Sequence, residues 1–505
     1  MSASSSLPRP FEGNYGVSVT IALLALIPFI VVTTAYEFYR STVLTTLGGQ
    51  AMDYEIIIDL AAGMYAFGAL VGGDLIQRFA QRYLFIVCET LFMLGCAIAA
   101  VAGNVVEYGS GIALQGLATG FLLVVALPPV IRQFPAEKLP LTAALIDLGF
   151  FGAIALGPLV GGVTASFGAW RWLYAGLAVV AAASIATALV TLPYADPPNP
   201  RMRFDRSGVI LGFFGTALPF WAVGTLALHG FGATIFLAPF IIGATSFVAL
   251  MLTEFHAEEP ISPIKPMWNT LPIAGIIVAS IGGGAYFTLF ILLLGFQSLS
   301  GHRLPLPTGT AFWPQVVGAL IAAGAYGWIV RTRLIPVYAL CGLLLLLAGG
   351  ALLLGTNTRT PVMTAEIAIG LLGLGAGATV APGLWMASLS LQSKMVGRIF
   401  ALVELIRSEV NFLMAPVVLK IGILVSGASG TLSVSGFHAA IWITLGLTFA
   451  FTLLATAIFL AGGPGLQKPD LRRWLKGERP AWESPELFAL ARGRHPEQQT
   501  HRKAS

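Results

Sequence analysis

Residues 152–162 read GAIALGPLVGG, and the string WRWLY follows at residues 170–174. The first string is apolar throughout, and its glycines flank Pro158 on one face of a helix. Glycines on one face let a neighbouring helix pack closely, and the Gly-Pro step leaves a pliable point in the backbone. Because membrane helices are commonly rich in glycine, this feature indicates a tightly packed spanning helix and does not by itself identify a function.

The rest of the chain is similarly apolar. Of its 505 residues, 56% are hydrophobic and 10% are charged, and the mean hydropathy is +0.84, whereas a soluble domain carries roughly 25% charged residues. A soluble chain could not bury this much apolar surface. Cys88, Cys96 and Cys341 all lie inside apolar segments, which favours small core residues over a disulfide framework or a thiolate metal site.

Fourteen segments of the chain are long enough to span a bilayer, which takes about 20 apolar residues. We therefore predict an all-α polytopic membrane protein with 14 transmembrane helices. The segments are residues 16–44, 55–76, 83–103, 108–131, 139–165, 171–193, 208–228, 232–254, 270–296, 308–330, 334–355, 361–389, 399–424 and 437–462.

Lysines and arginines concentrate in every second gap between these segments. Of the 28, 22 fall in the N-terminus, in alternate gaps and in the C-terminal tail, 3 fall in the other gaps, and 3 lie inside segments. Basic loops stay on the cytoplasmic side of a membrane. We expect a multi-pass protein of the cell's inner (cytoplasmic) membrane with both termini cytoplasmic, and with Arg171, Arg303 and Arg359 in the outer gaps.

Two Pro-rich polar stretches, residues 194–206 and 254–268, bracket one pair of segments in the middle of the chain. They predict an N-terminal six-helix bundle (1–200), an inserted two-helix segment (201–260), a C-terminal six-helix bundle (261–463) and a cytoplasmic tail (464–505). In a weak internal repeat, Gly73 to Arg82 and Gly327 to Arg333 both place a glycine and then arginines at the end of a bundle's second helix. Repeated halves are typical of transporters, in which one bundle rocks against the other.

The string around Pro158 resembles the antiporter motif of the fourteen-helix drug:proton antiporter branch of the major facilitator superfamily. The matching residues are Gly152, Gly157, Pro158, Gly161 and Gly162. Further similar strings are LQGLATG at 114–120, Glu259-Pro260, Phe296-Gln297, and Val396-Gly397-Arg398 with Arg407. The resemblance implies the major facilitator fold, with two six-helix bundles and an inserted pair. It also implies a small-molecule substrate, protons as the driving ion and, as in some relatives, a periplasmic adaptor.

The sequence departs from the family pattern at positions that usually carry the coupling chemistry. The cytoplasmic-loop motif is degenerate, since it keeps Gly73, Asp74, Arg78 and Arg82 but has Gln77 in place of an Asp. The other departures are Ala80 in place of Gly, Ile112 in place of an Arg linked to proton coupling, and Thr34 in place of the first-helix Asp. The family's proton route is therefore not carried over to this chain.

Ionisable residues inside the predicted helices are the remaining candidates for proton coupling or substrate contact, because each is costly when unpaired. A carboxylate in a partly dry cavity can hold a proton in one conformation and release it in another. Two adjacent pairs and two isolated acids qualify: Glu37 with Arg40, Glu404 with Arg407, Asp59 and Asp147. A static role for the two pairs, which would fix helix packing, stays equally open.

Aromatic residues in the helices that line the cavity of relatives indicate a large apolar cavity. They are Tyr36, Tyr286, Trp313 and Trp385. Aromatic side chains more often pack in cores or against lipid than contact ligands. An aromatic cavity with one or two carboxylates suits a lipophilic cation, while Arg40 and Arg407 leave neutral or anionic cargo open.

Three functions are compatible with these residues. The leading one is proton-coupled export of lipophilic or cationic compounds, as in multidrug efflux by antiport. The second is a proton-coupled carrier of a specific metabolite or siderophore, including an importer, and the third is a non-transporting membrane sensor or scaffold. Because the sequence has no metal-ligand spacing, phosphate-binding Gly loop or nucleophile elbow, we expect no enzyme activity, no cofactor and no ATP-driven pump. The expected partners are the substrate, protons and the lipid bilayer, with no nucleic acid, and the expected state is a monomer.

Overall fold

The computed structural model describes residues 13–193, 196–200, 204–257, 259–299, 309–356, 362–427 and 432–489, and these are mostly helical. Within these described residues, fourteen long helices follow one another in the order that the sequence predicts. They are α1 (Tyr15–Leu47), α2 (Ala51–Arg78), α3 (Gln81–Val101), α4 (Val105–Arg132), α5 (Leu139–Ser166), α6 (Trp170–Thr191), α7 (Arg206–Thr225), α8 (Thr234–His256), α9 (Thr270–Leu299), α10 (Trp313–Ile329), α11 (Ile335–Leu354), α12 (Val362–Gly377, continued by Val380–Leu389), α13 (Val396–Val425) and α14 (Val434–Gly462). Two shorter helices are Ile264–Met267 and, in the tail, Leu471–Leu475.

Among the described helices, thirteen are long and apolar enough to cross a membrane. The fourteenth, α10, has 17 residues and lies at the short end of the roughly 17–25 residues that spanning helices use. The predicted fold class, an all-α membrane protein, is therefore confirmed. Arg303, Arg359 and residues 490–505 of the basic tail lie outside the described residues.

The helix that carries the glycine string, α5, is not a uniform α-helix. Leu139–Asp147 is α-helical, Leu148–Gly152 forms a π-helical turn, and Ala153–Ser166 resumes the α-helix with Pro158 inside it. A π turn interrupts the regular hydrogen-bond ladder and frequently occurs at functional sites. The sequence indicates a pliable point at Pro158, whereas the structure places an irregular turn earlier, directly after Asp147.

The helices group into two bundles. In the first bundle, α1–α6, α2 packs on α4 and α1 on α5; in the second, α9–α14, α9 packs on α13 and α10 on α12. The helices α7 and α8 pack on each other, and α7 also packs on α2. The two bundles and the inserted pair of the predicted fold class are present, and the inserted pair flanks the N-terminal bundle.

The bundles meet along two edges, α2 with α13 and α5 with α10. A Cβ added at Gly73 would lie 3.1 Å from the Cβ of Ala401, and one added at Gly327 would lie 2.8 Å from the Cβ of Ala144. Such close approaches between helices require glycine. Because Gly73 and Gly327 are the glycines of the internal repeat, the repeat corresponds to one packing arrangement that is used at both edges.

The C-terminal tail folds back onto one face of the molecule, which we call the tail face. Trp474, in the short tail helix, donates its Nε1–H to the carbonyl of Leu391 at 2.8 Å, between α12 and α13. Arg472 of the same helix pairs with Glu137 at 2.7 Å, in the loop between α4 and α5. The tail therefore lies on the same face as the connections that hold most of the basic residues.

Candidate functional site

A cavity of about 740 Å³ lies between the two bundles, toward the face opposite the tail face. We call it the far-face cavity. Its walls come from α1, α2, α7, α9 and α13, so both bundles and the inserted pair contribute. At the tail face, by contrast, Gly73 and Gly327 hold the bundles in contact. The bundles are therefore apart around this cavity on the far side, and they touch at Gly73 and at Gly327 on the tail side.

Five charged side chains line the far-face cavity: Glu37 and Arg40 from α1, Glu55 and Asp59 from α2, and Lys420 from α13. Arg40 forms an ion pair with Glu55. The predicted ion pair of Glu37 with Arg40 does not form, because the long Arg40 side chain reaches across to Glu55 on the neighbouring helix. The Arg40 charge still attracts the Glu37 carboxylate. Two carboxylates and one ammonium group are left in the cavity.

Glu37 and Asp59 accept no hydrogen bond and form no ion pair with the part of the chain that the structure describes. Asp59 is close enough to Glu55 and Glu37 for their charges to repel, and the Arg40 guanidinium offsets part of this repulsion. Repulsion between carboxylates in a partly buried site is relieved when a cation or a proton binds. Within the described ranges no group of His, Cys, Asp or Glu residues, these included, is arranged to hold a metal ion.

Aromatic side chains form part of the cavity wall. Phe287 on α9 and Phe412 on α13 make an edge-to-face contact with ring centroids 5.1 Å apart, and both line the cavity, as do Tyr36 and Phe38 on α1. The sequence identified Tyr36 but not the three phenylalanines. These phenylalanines can be identified only from where they lie relative to the opposite bundle. The sequence does not contain that information.

The other predicted cavity aromatics lie elsewhere. Tyr286 is buried, and its hydroxyl donates to Gln315 Oε1 at 3.2 Å. Trp313 is 58% exposed at the start of α10, and Trp385 is buried against Trp474 of the tail. None of the three lines the far-face cavity, because membership of a cavity-lining helix does not fix which face of that helix a residue occupies.

Glu404 and Arg407 form a buried ion pair at the α2–α13 edge. Arg407 donates to Glu404 through Nε at 2.9 Å and also through Nη2. Tyr65 of α2 donates its hydroxyl to Glu404 Oε1 at 2.8 Å, across the boundary between the bundles. The sequence indicates the pair from its helical spacing but gives no sign of Tyr65. The cluster ties the two bundles together in the interior.

Asp147 is buried at the α5–α10 edge, with 1% of its surface exposed. Neither carboxylate oxygen has a hydrogen-bond partner among the described residues, and the hydroxyl of Tyr326 on α10 also lacks one. A Cβ added at Gly377 of α12 would lie 3.5 Å from Asp147 Oδ2. Asp147 is therefore in the contact between bundles and not in the far-face cavity.

The glycine string of α5 serves two contacts. A Cβ at Gly157 would collide with Thr34, and one at Gly161 would collide with the Ala35 carbonyl, so these two glycines face α1. Pro158 and Gly162 instead meet Gly309, just before α10 in the other bundle. Gly152 ends the π turn. The string therefore packs α5 both within its own bundle and against the second bundle.

The degenerate cytoplasmic-loop motif lies at the tail face. Asp74 is buried and accepts two hydrogen bonds from Arg78, at 2.7 and 3.1 Å. Arg82 donates to the Leu189 carbonyl at 2.7 Å, near the end of α6. The contact of Gly73 with Ala401 joins α2 to the other bundle. The hydrogen bonds of Arg78 and Arg82 stabilise the N-terminal bundle itself.

A comparison with known proteins identifies the family. The model of the Major Facilitator Superfamily matches residues 16–416. The chain belongs to this superfamily. An uncharacterised transporter of the superfamily from Bacillus subtilis (strain 168), YubD, is 26% identical over 74% of each chain. A multidrug resistance protein B homolog from Mycobacterium tuberculosis is 24% identical over 73% of this chain and 68% of its own.

A solved structure of another transporter has the same fold. The crystal structure of a peptide transporter, POT, in complex with sulfate covers 89% of this chain and 96% of its own, with a TM-score of 0.61 and 15% identity. At that identity the likeness concerns the fold alone. As a member of the superfamily, the protein is a multi-pass membrane transporter of small molecules and not an enzyme.

Proposed function

We propose that this protein exports lipophilic cations in exchange for protons. The observation that carries the proposal is the pair Glu37 and Asp59, two carboxylates without a described partner in an aromatic-walled cavity between the bundles. Aromatic faces and carboxylates together attract a bulky organic cation. A cavity of about 740 Å³ also falls in the range of roughly 300–1,000 Å³ that drug-sized ligands occupy. The relative named for multidrug resistance supports drug-like compounds as cargo.

In this proposal Asp147 carries the proton. A charged carboxylate buried between α5 and α10 without a partner would cost several kcal/mol, so Asp147 holds a proton while the tail face is closed. When that face opens, water reaches the carboxylate and the proton leaves. The cargo occupies the far-face cavity, so the two sites are coupled through the conformational change and not by direct contact.

The proposed direction of transport depends on orientation in the membrane. Since basic loops remain in the cytoplasm, we assign the tail face to the cytoplasm and the far-face cavity to the outside. A cysteine at Arg171, in the first turn of α6, should react with an impermeant maleimide added to intact cells, and a cysteine at Lys468 should not. The opposite labelling pattern would reverse the orientation and with it the direction of export.

A second candidate is a carrier of an anionic metabolite. Lys420 favours it, because this ammonium group lines the far-face cavity and forms no ion pair within the described residues. A carboxylate-bearing cargo would pair with Lys420 and accept hydrogen bonds from it. Lys420→Gln should abolish transport of such a cargo but preserve or improve transport of a cation, so the variant distinguishes the two candidates.

The test is transport of tetraphenylphosphonium by the full-length protein in proteoliposomes with an imposed pH gradient. Glu37→Gln and Asp59→Asn should each weaken cation binding by about tenfold or more, since a contact with a charged group contributes about 1.5–3 kcal/mol. Binding is measured by isothermal titration calorimetry. Transport is measured as the accumulation of radiolabelled tetraphenylphosphonium inside the proteoliposomes after the pH gradient is imposed.

Glu366→Gln is the matched control. Glu366 is a carboxylate within α12 that does not line the far-face cavity. This variant should bind and transport the cation as the wild type does. Wild-type binding by the double variant Glu37→Gln/Asp59→Asn would remove the proposed cation site.

A further inference from the structure

A second cavity, of about 690 Å³, lies at the tail face between the two bundles. The ends of α2 and α4 form one side, the start of α13 forms the other, and the connection between α6 and α7 contributes residues 196–199. No residue lines both this cavity and the far-face cavity. We call it the tail-face cleft, and the transport cycle proposed above does not use it.

The tail-face cleft carries an excess of positive charge. Three cations line it, against one carboxylate, Asp196. They are Arg132 from α4, Lys394 from the turn just before α13, and Arg398 from the start of α13. Arg398 donates to the Pro260 carbonyl and is held by the protein itself. Arg132 and Lys394 are exposed and form no ion pair with any described residue. Two cations that converge on one cleft without a protein partner indicate an anionic ligand.

Other residues that line the cleft carry either amide groups or apolar side chains. Gln77 and Gln133 offer amide N–H groups that can donate hydrogen bonds to the oxygens of an anion. Asn199 donates its side-chain amide to Gln77 Oε1 at 3.2 Å and so orients the Gln77 amide. Phe79, which is half exposed, and Met395 are part of an apolar wall beside them. A polar, basic end next to an apolar wall matches a phospholipid, in which a phosphate adjoins an acyl chain.

We infer that the tail-face cleft binds the phosphodiester headgroup of an anionic membrane lipid between Arg132 and Lys394. Basic pockets between spanning helices at a membrane surface are known to hold such headgroups. Because Arg132 belongs to one bundle and Lys394 to the other, the bound phosphate links the bundles beside the α2–α13 edge, where Gly73 already brings them together. The lipid therefore stabilises the conformation that is closed at the tail face.

Native mass spectrometry of the full-length protein in detergent, titrated with phosphatidylglycerol, tests the inference. Each cation contributes about 1 kcal/mol to lipid binding, which corresponds to about fivefold in affinity. Lys394→Gln should therefore weaken phosphatidylglycerol binding about fivefold, and Arg132→Gln/Lys394→Gln about 25-fold. Because both side chains are exposed, the variants should fold, which their elution by size exclusion checks.

The control variant Arg331→Gln/Arg333→Gln removes the same charge from the connection between α10 and α11, outside the cleft. It should keep wild-type affinity for phosphatidylglycerol. An equal loss in both double variants would show that only overall charge matters and would overturn the inference. Titration with inorganic phosphate provides a second arm, in which we expect no comparable stabilisation. If phosphate alone raised the melting temperature of the wild type but not of Arg132→Gln/Lys394→Gln, the lipid assignment would be wrong.

Discussion

The two edges along which the bundles meet place a carboxylate at the same helical position, but the hydrogen-bond partners of the two carboxylates differ. Glu404 is the ninth residue of α13, and Asp147 is the ninth residue of α5. Each comes three residues after the alanine, Ala401 or Ala144, that packs on a glycine of the repeat. Yet Glu404 accepts three hydrogen bonds, and Asp147 accepts none from the described residues.

The difference comes from the next turn of each helix. Arg407 stands three residues after Glu404 and supplies a buried counter-charge. Phe150 stands three residues after Asp147, inside the π turn, and brings no charge. A carboxylate that is fixed by a cation suits a structural contact, whereas one without a partner can gain and lose a proton as its surroundings change. We therefore propose a structural role for Glu404, for which the sequence leaves both roles open, and a proton-carrying role for Asp147.

The largest effect is expected from removal of the counter-charge at the α2–α13 edge. Arg407→Met leaves Glu404 buried without its cation, and breaking a buried pair in this way costs about 3–5 kcal/mol. We expect a sharp fall in the yield of folded protein, measured by fluorescence-detected size exclusion. Glu404→Gln/Arg407→Met removes both charges and should recover part of that yield. A wild-type yield for Arg407→Met alone would mean that the pair does not hold this edge.

An intermediate effect is expected from bulk added at the α5–α10 edge. Gly327→Leu would push α10 away from Ala144 and should separate the bundles at the tail face, since the close contact has no room for a side chain. Gly324→Leu, one turn earlier on the same helix, meets open space and is the matched control.

Electron paramagnetic resonance between spin labels on cysteines at Gln133 and Arg333, one on each bundle, measures that separation. The native cysteines are replaced in this background. Gly327→Leu should lengthen the distance and Gly324→Leu should leave it unchanged. If the two variants gave the same distance, the α5–α10 contact would not close the tail face.

The smallest effect is expected where the tail meets the loop between α4 and α5. The pKa of Glu137 is held below its usual value of about 4.3 by a hydrogen bond from its own backbone N–H and by the Arg472 guanidinium. A lowered carboxylate pKa stabilises the folded state above its usual pKa, and this contribution is lost as the pH falls through the lowered value. The contact should therefore be insensitive to pH between about pH 5 and 8.

Arg472→Gln should leave the melting temperature almost unchanged, because exposed ion pairs contribute little. Trp474→Ala provides the comparison, since this buried indole packs on Trp385 and donates to the Leu391 carbonyl. Its loss should lower the melting temperature clearly. A larger effect of Arg472→Gln than of Trp474→Ala would show that charge, and not burial, holds the tail.

Much of the fold was predictable from the sequence, because the length of each apolar segment and the alternation of basic gaps are local properties. The pairing of Glu404 with Arg407 was predictable for the same reason, since both lie three residues apart on one helix. The partner of Arg40 was not, because Glu55 lies on the next helix and competes with the nearer Glu37.

The features that the sequence does not predict depend on how separate helices meet. Tyr65 reaches Glu404 only because α2 and α13 are adjacent, and the walls supplied by Phe287 and Phe412 require the same assembly. Trp313 and Trp385 were expected in the cavity from their helices alone, and helix identity does not settle which way a residue faces. The π turn after Asp147 has no local signal beyond the surrounding glycines.

In the proposed transport cycle, protonation of Asp147 keeps the tail face closed. The most direct test is the distance between the spin labels at Gln133 and Arg333, measured from acidic to alkaline pH in the wild type, in Asp147→Asn and in Glu404→Gln. We predict that the wild type and folded Glu404→Gln open at the tail face as the pH rises, because a charged Asp147 cannot remain buried without a partner. Asp147→Asn should stay closed at every pH. An Asp147→Asn protein that opens with the same pH dependence as the wild type would contradict the account.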